Sequence, residues 1–184
     1  MRIARLSLAS VAVAVVSVLA GCAAAPPDGL QPVALVPHVD LQRYMGDWYV
    51  IASIPTIFER EAFNAKESYR LDTDGSIPTH FSFNKGAADG TPKHYDSRAF
   101  VQDGTNNAVW GEQYIWPIKA DYRISWLSPD YSEVVVTRQK RDNVWIMART
   151  PTIPDADLAR MTEFVRGQGY DVAKLRRVPQ DVPR

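Results

Sequence analysis

The chain has 184 residues, 46% of them hydrophobic and 23% charged, which suits one globular domain with a processed end. Its 21 basic residues balance its 21 acidic ones. Without residues 1–21, which hold Arg2, Arg5 and no acid, 19 face 21 and the net charge of −2 leaves no electrostatic footprint for nucleic acid. The 1 cysteine, Cys22, excludes an internal disulfide and a cysteine-based metal cluster. His38, His80 and His94 lack the i,i+4 spacing of a helical metal site, so no metal or cofactor is expected.

Arg2 and Arg5 precede an uncharged, Ala/Val-rich stretch over 6–19, too short for a comfortable membrane span and followed by no basic stop. It reads as an export signal. Its end, Leu19-Ala20-Gly21-Cys22, resembles the lipobox of bacterial lipoproteins. The resemblance implies a signal peptide over 1–21, cleavage before Cys22, and acylation of its sulfur and new amino group. At about 0.8 kcal/mol per buried CH₂, several acyl chains anchor a protein lastingly. Ala23 stands where an aspartate would signal inner-membrane retention, which implies the outer membrane. Residues 22–37, with Pro26, Pro27, Pro32 and Pro37, are expected to form a tether, with the folded domain over 38–180.

From Gly46 onward, short β-type runs alternate with clusters of Gly, Pro, Asn and Asp. Strands are expected at 47–55, 64–73, 77–84, 93–102, 107–116, 121–128, 132–139 and 143–149. Turn-rich clusters such as Asp72-Thr73-Asp74-Gly75 and Ser128-Pro129-Asp130 separate them. Eight consecutive strands joined by short turns are what an up-and-down antiparallel barrel requires, and closure removes its exposed edges. After Pro154 the period changes. Asp155 and Asp157 suit a helix start, Leu158, Met161, Phe164 and Val165 form one apolar stripe, and Gly167 and Gly169 end it. The expected fold is all-β, an eight-stranded barrel with a C-terminal helix packed outside and a last extended piece over 170–178.

Three motifs then carry a family resemblance. Gly46-Asp47-Trp48-Tyr49, behind a short helical turn, resembles the lipocalin opening Gly-x-Trp-Tyr. About a hundred residues on, Trp145 to Arg149 resembles the end of the last lipocalin strand. Asp130-Tyr131 stands where the family has Thr-Asp-Tyr, with Pro129 replacing the threonine. Phe58-Glu59-Arg60 and Arg149-Thr150-Pro151 are similar to the bacterial, plant temperature-induced and apolipoprotein D branch. In such a barrel Trp48 begins strand one and Arg149 ends strand eight at the same end. An Arg–indole contact there would plug the floor for roughly 0.5–2 kcal/mol.

Strand alternation assigns faces. Trp48 inward puts Val50, Ala52 and Ile54 inward. Arg149 inward puts Met147 and Trp145 inward. Tyr49 and Ile51 then face out beneath the helix. Family register implies that Glu67, Tyr69, Phe81, Ala99, Glu112, Tyr114, Tyr122 and Trp126 also face in. With Phe58 at an apolar lip beside Ile57, these residues are the expected ligand contacts. The expected mouth loops are 55–63, 84–92, 116–121 and 139–143. Lys85, Lys119, Arg138, Lys140 and Arg141 near them suggest an amphiphile with an anionic head, such as a fatty acid or lysophospholipid.

The resemblance implies a carrier or store of membrane-derived lipid, as monomer or homodimer. A barrel filled as solid core, with a structural role, stays open at this point. An enzyme is disfavoured: Cys22 lies at the anchor, and His80 falls on the opposite parity from Phe81. Tetrapyrrole binding is disfavoured by the same outward His80.

Overall fold

A computed structural model describes residues 29–181. The expected signal peptide, Cys22 and the first part of the tether lie outside the described residues. Helix α1 (Leu41–Tyr44) leads into β1 (Gly46–Ile54), β2 (Ala62–Tyr69), β3 (Ile77–Lys85), β4 (Thr91–Val101), β5 (Val109–Ile115), β6 (Ile118–Leu127), β7 (Glu133–Thr137) and β8 (Val144–Ala148). Helix α2 (Asp155–Gly167) and a two-residue strand β9 (Arg176–Arg177) follow. Each strand pairs antiparallel with the next, and β1 pairs with both β2 and β8, which closes the barrel. Strand β9 and Val178 pair with β1 at Ile51 to Ser53, on the edge away from β8.

Helix α2 covers the outside of the β7–β8–β1 wall. Leu158, Met161 and Val165 are buried against Ile51, Ala52, Ile54, Val135, Val144, Ile146 and Ala148, with Phe164 partly buried beside them. Full burial of such side chains is worth about 1.5–3 kcal/mol each. Asp155 and Asp157 sit in the first turn, where the dipole favours them.

Two strand irregularities change the faces expected from strict alternation. In β1 the register shifts between Val50 and Ala52: Val50 opposes Met147, whereas Ala52 opposes Ile146. An extra residue flips every later side chain to the other face. Ala52 and Ile54 therefore lie outside, under α2, and not in the interior as alternation predicted, while Ser53 takes the inner place opposite Trp145. In β6 the register shifts between Ile124 and Trp126. Trp126 is accordingly outside too, packed at the α2 interface with the Arg160 guanidinium 5.5 Å above its ring.

Residues 31–37 of the expected tether, with His38 and Val39 after them, run along the wall. Val39 N–H donates to the Asn106 carbonyl at the floor end, and Val36 N–H to Ile124 midway. Val33 N–H reaches the Gln139 side chain and Arg141 reaches the Gln31 carbonyl, both at the opposite end. Val33 is buried, so the folded body starts before residue 37.

Candidate functional site

The floor is built from the opening motif. Asp40 caps α1, its carboxylate accepting from Gln42 and Arg43 N–H groups, and so places Tyr44 under the barrel. Trp48 donates its indole N–H to the Tyr44 carbonyl at 2.8 Å. The Arg149 guanidinium stands 3.8 Å from the Trp48 ring centre. It also donates to the carbonyls of Arg43, Tyr44 and Asp47 at 2.8, 2.9 and 2.8 Å. One cation thus ties the start of strand one, the end of strand eight and the entering helix. Gly46 has φ +95°, and a Cβ there would lie 3.4 Å from the Arg149 guanidinium. Gly46→Ala is expected to cost about 1–2 kcal/mol in thermal unfolding, because L-residues avoid positive φ.

Above the plug, Tyr44, Tyr69, Trp110 and Tyr122 form a solid aromatic layer, Trp110 and Tyr122 stacking at 4.9 Å and 8°. Their hydroxyls run in series. The Tyr69 hydroxyl bonds Glu67, and the Tyr69–Tyr122 and Tyr122–Tyr44 hydroxyl pairs stand 2.8 and 2.7 Å apart, one continuous chain. The lower barrel is therefore core.

The upper barrel is open. A cavity of about 480 Å³ lies between the aromatic layer and the mouth, in the range of small-molecule sites. Of the expected contacts, Phe58, Glu67, Phe81, Glu112, Tyr114, Tyr122 and Trp145 line it. Val50, Tyr69, Ala99 and Met147 belong to the packed interior below. Ala52, Ile54 and Trp126 are outside, as described. Unforeseen lining comes from Thr56, Glu59, Tyr95, Asp96, Ile115, Ala120, Asp121 and Arg138. Tyr95 pairs with Phe81 across β3–β4, so the register of one known wall residue would have found it. Glu59 turns inward because the Trp145 indole N–H and the Thr56 hydroxyl donate to its two oxygens at 2.9 and 2.8 Å.

Five carboxyl side chains thus line the cavity, three of them the glutamates Glu59, Glu67 and Glu112. Burial, and then the charge of Glu112, push Glu67 well above the usual glutamate range against its Tyr69 hydrogen bond. Burial raises Glu112 despite hydrogen bonds from Ser97 and Tyr114. Burial also raises Glu59. Burial thus favours the neutral acid form of these three glutamates, while Asp96 meets His80 and Asp121 is ion-paired with Arg123. The cation at the wall is Arg138, which bonds Asn143 at 2.9 Å and Asp142 at 3.3 Å while its buried Nε–H has no partner.

At the mouth a second hollow of about 500 Å³ is lined by Ile57, Phe58, Arg60, Glu61, Phe83, Lys85, Lys93 and Tyr95. Phe58 and Tyr95, with ring centres 5.9 Å apart, belong to both hollows and separate them. The basic character here comes from Arg60, Lys85 and Lys93. Lys119 instead lies over the Phe100 ring at 4.1 Å, and Arg141 is held by the Gln168, Gln139 and Gln31 carbonyls.

The profile of the lipocalin-like domain family matches residues 39–180. The chain is a lipocalin. It is 30% identical over 172 residues to the outer membrane lipoprotein Blc of Escherichia coli K12, covering 92% of this chain and 94% of that protein. It is 26% identical over 159 residues to temperature-induced lipocalin-1 of Arabidopsis thaliana, covering 81% and 84%. Among solved structures, apocrustacyanin C2 superposes with a TM-score of 0.62 at 11% identity over 77% of this chain and 80% of that one. Lobster apocrustacyanin A1 superposes at 0.59 with 14% identity, over 77% and 79%. The protein shares its barrel with these last two, and family membership makes it a binder of small hydrophobic ligands.

Proposed function

We propose that this lipocalin is anchored to the outer membrane through acylated Cys22 and stores or carries an amphiphile with an anionic head, a fatty acid or lysophospholipid. The observation that carries the reading is the pair of adjacent hollows that share Phe58 and Tyr95. The inner one, walled by Phe81, Tyr114, Tyr122 and Trp145, suits an acyl tail and any ester or hydroxyl that meets the neutral carboxyls. The outer one, with Arg60, Lys85 and Lys93, suits a carboxylate or phosphate head. The anchor reading is supported by the lipobox resemblance and by the outer membrane lipoproteins among its relatives.

A headgroup series tests it. Titrating the delipidated domain while following Trp145 emission should give saturable quenching with oleate and lysophosphatidylethanolamine. Oleyl alcohol should bind about tenfold more weakly, the scale of one charge-assisted contact of roughly 1.5 kcal/mol. The Lys85→Glu/Lys93→Glu variant should erase that difference. Equal affinity for neutral and anionic ligands of one chain length would sink the headgroup assignment.

A further inference from the structure

We propose that the mouth of the barrel is itself a membrane-docking surface, which seats on an anionic lipid bilayer. The β5–β6 hairpin presents Ile115, Trp116 and Ile118 at 72%, 83% and 70% exposure, and the β1–β2 loop presents Ile57 and Phe58 at 67% and 65%. Both loops belong to the same end, since Phe58 and Ile115 line the same cavity. Soluble surfaces rarely gather this much large apolar area without a partner. Tryptophan with isoleucine beside basic residues is the composition of a membrane-interface segment.

Two further observations select a bilayer. The first is charge. Around the rim stand Arg60, Lys93 and Lys140, and among the described residues none has a carboxylate within ion-pair distance. Of the rim carboxylates, Glu61 and Asp142 are paired with Lys85 and Arg138, and Asp89 in the β3–β4 turn has no ion-pair partner among the described residues, which leaves the rim net positive. An apolar crown inside a basic ring matches acyl chains beneath anionic headgroups.

The second is where the chain leaves the body. Its leading segment climbs from Val39 at the floor to Gln31 at the mouth, where Arg141 holds it. Cys22 is nine residues earlier in the sequence, a reach of at most about 30 Å fully extended. An anchor at Cys22 therefore brings the mouth, and not the floor, toward the bilayer. Docking in that orientation opens the cavity directly onto the source of its ligand. It does not require the cavity to be occupied, so it stands or falls separately from the ligand assignment.

The closed barrel and both helices lie within residues 29–181, so a protein starting at Ala23 carries the whole fold without the acyl anchor. That protein should float with phosphatidylethanolamine–phosphatidylglycerol vesicles and much less with phosphatidylcholine ones, and added salt should release it. Brominated acyl chains should quench Trp116. The Trp116→Ser/Ile118→Ser variant should lose roughly tenfold in vesicle affinity, the scale expected for withdrawing two apolar side chains from lipid. Ile57→Ser, in the other loop, should lose several-fold, which guards against a defect peculiar to the hairpin. Lysophosphatidylethanolamine binding in vesicle-free solution should persist in the Trp116→Ser/Ile118→Ser variant, whose two positions line neither hollow, separating docking from the cup. The proposal is overturned if the wild-type protein does not float, or if the variants float equally well. A concentration-dependent dimer that the same changes dissolve, without vesicle binding, would assign the surface to a second copy instead.

Discussion

Replacing Trp48 by alanine should lower the unfolding free energy by about 3–5 kcal/mol, the usual cost of emptying a fully buried indole site. Trp48 is completely buried and touches the Tyr44 ring at 5.1 Å. Its removal also takes away the face beneath Arg149 and one donor to the Tyr44 carbonyl. Arg149→Ala should cost about 2–4 kcal/mol, from the lost ring contact and from backbone carbonyls left with fewer donors. Because both residues act in one plug, the double variant should lose clearly less than the sum. Urea unfolding monitored by circular dichroism measures all three. A Trp48→Ala loss below about 1 kcal/mol would mean that the floor is not closed by this contact.

The second large effect is a fall in stability as pH rises. Glu67 and Glu112 are both buried and both held above the usual value near 4.5, chiefly by burial. Between that value and their raised ones, the native state holds more protons than the unfolded chain. Their stabilising contribution is therefore fully present below pH 4.5 and disappears as pH rises through the native values. Each group steepens the loss by at most about 1.4 kcal/mol per pH unit. Glu59 and Glu133, also raised by burial, act in the same direction. Asp47, lowered by hydrogen bonds from Lys66 and Ser68, and Asp130, lowered to about 2 by Ser128 and Ser132, act oppositely but lose their effect only at more acidic pH. Stability should accordingly decline as pH rises above 4.5, and Glu67→Gln/Glu112→Gln should flatten most of that decline while keeping an acceptor for Tyr69. A stability that rises over this range would contradict the neutral-acid cavity.

The strand order, the floor plug and the outer helix were legible in the sequence for physical reasons. Turn residues mark strand ends, the 158–165 stripe has helical period, and topology alone brings Trp48 and Arg149 to the same end. The two bulges were not legible. Around Val50-Ile51-Ala52 and Ile124-Ser125-Trp126 the inner face and the helix-covered outer face both need apolar residues, so side-chain type carries no sign of which way the strand points. Hence Ala52, Ile54 and Trp126 were placed on the wrong face. Glu59 was hidden for another reason: in a loop its direction depends on a partner 86 residues away, the Trp145 indole. Arg138 was legible as a mouth charge, whereas its buried Nε follows from the packing of the 138–143 loop.

The most direct test of the cavity as ligand site is native mass spectrometry of the delipidated domain with lysophosphatidylethanolamine, compared with an Ala120→Trp variant. Ala120 lines the cavity opposite Glu112 and above the floor, so a bulky side chain there fills the space without disturbing the plug. One lipid per wild-type chain and at least about tenfold weaker binding by a folded Ala120→Trp variant is the predicted result. No lipid on the wild-type protein, or equal occupancy in the two, would contradict it.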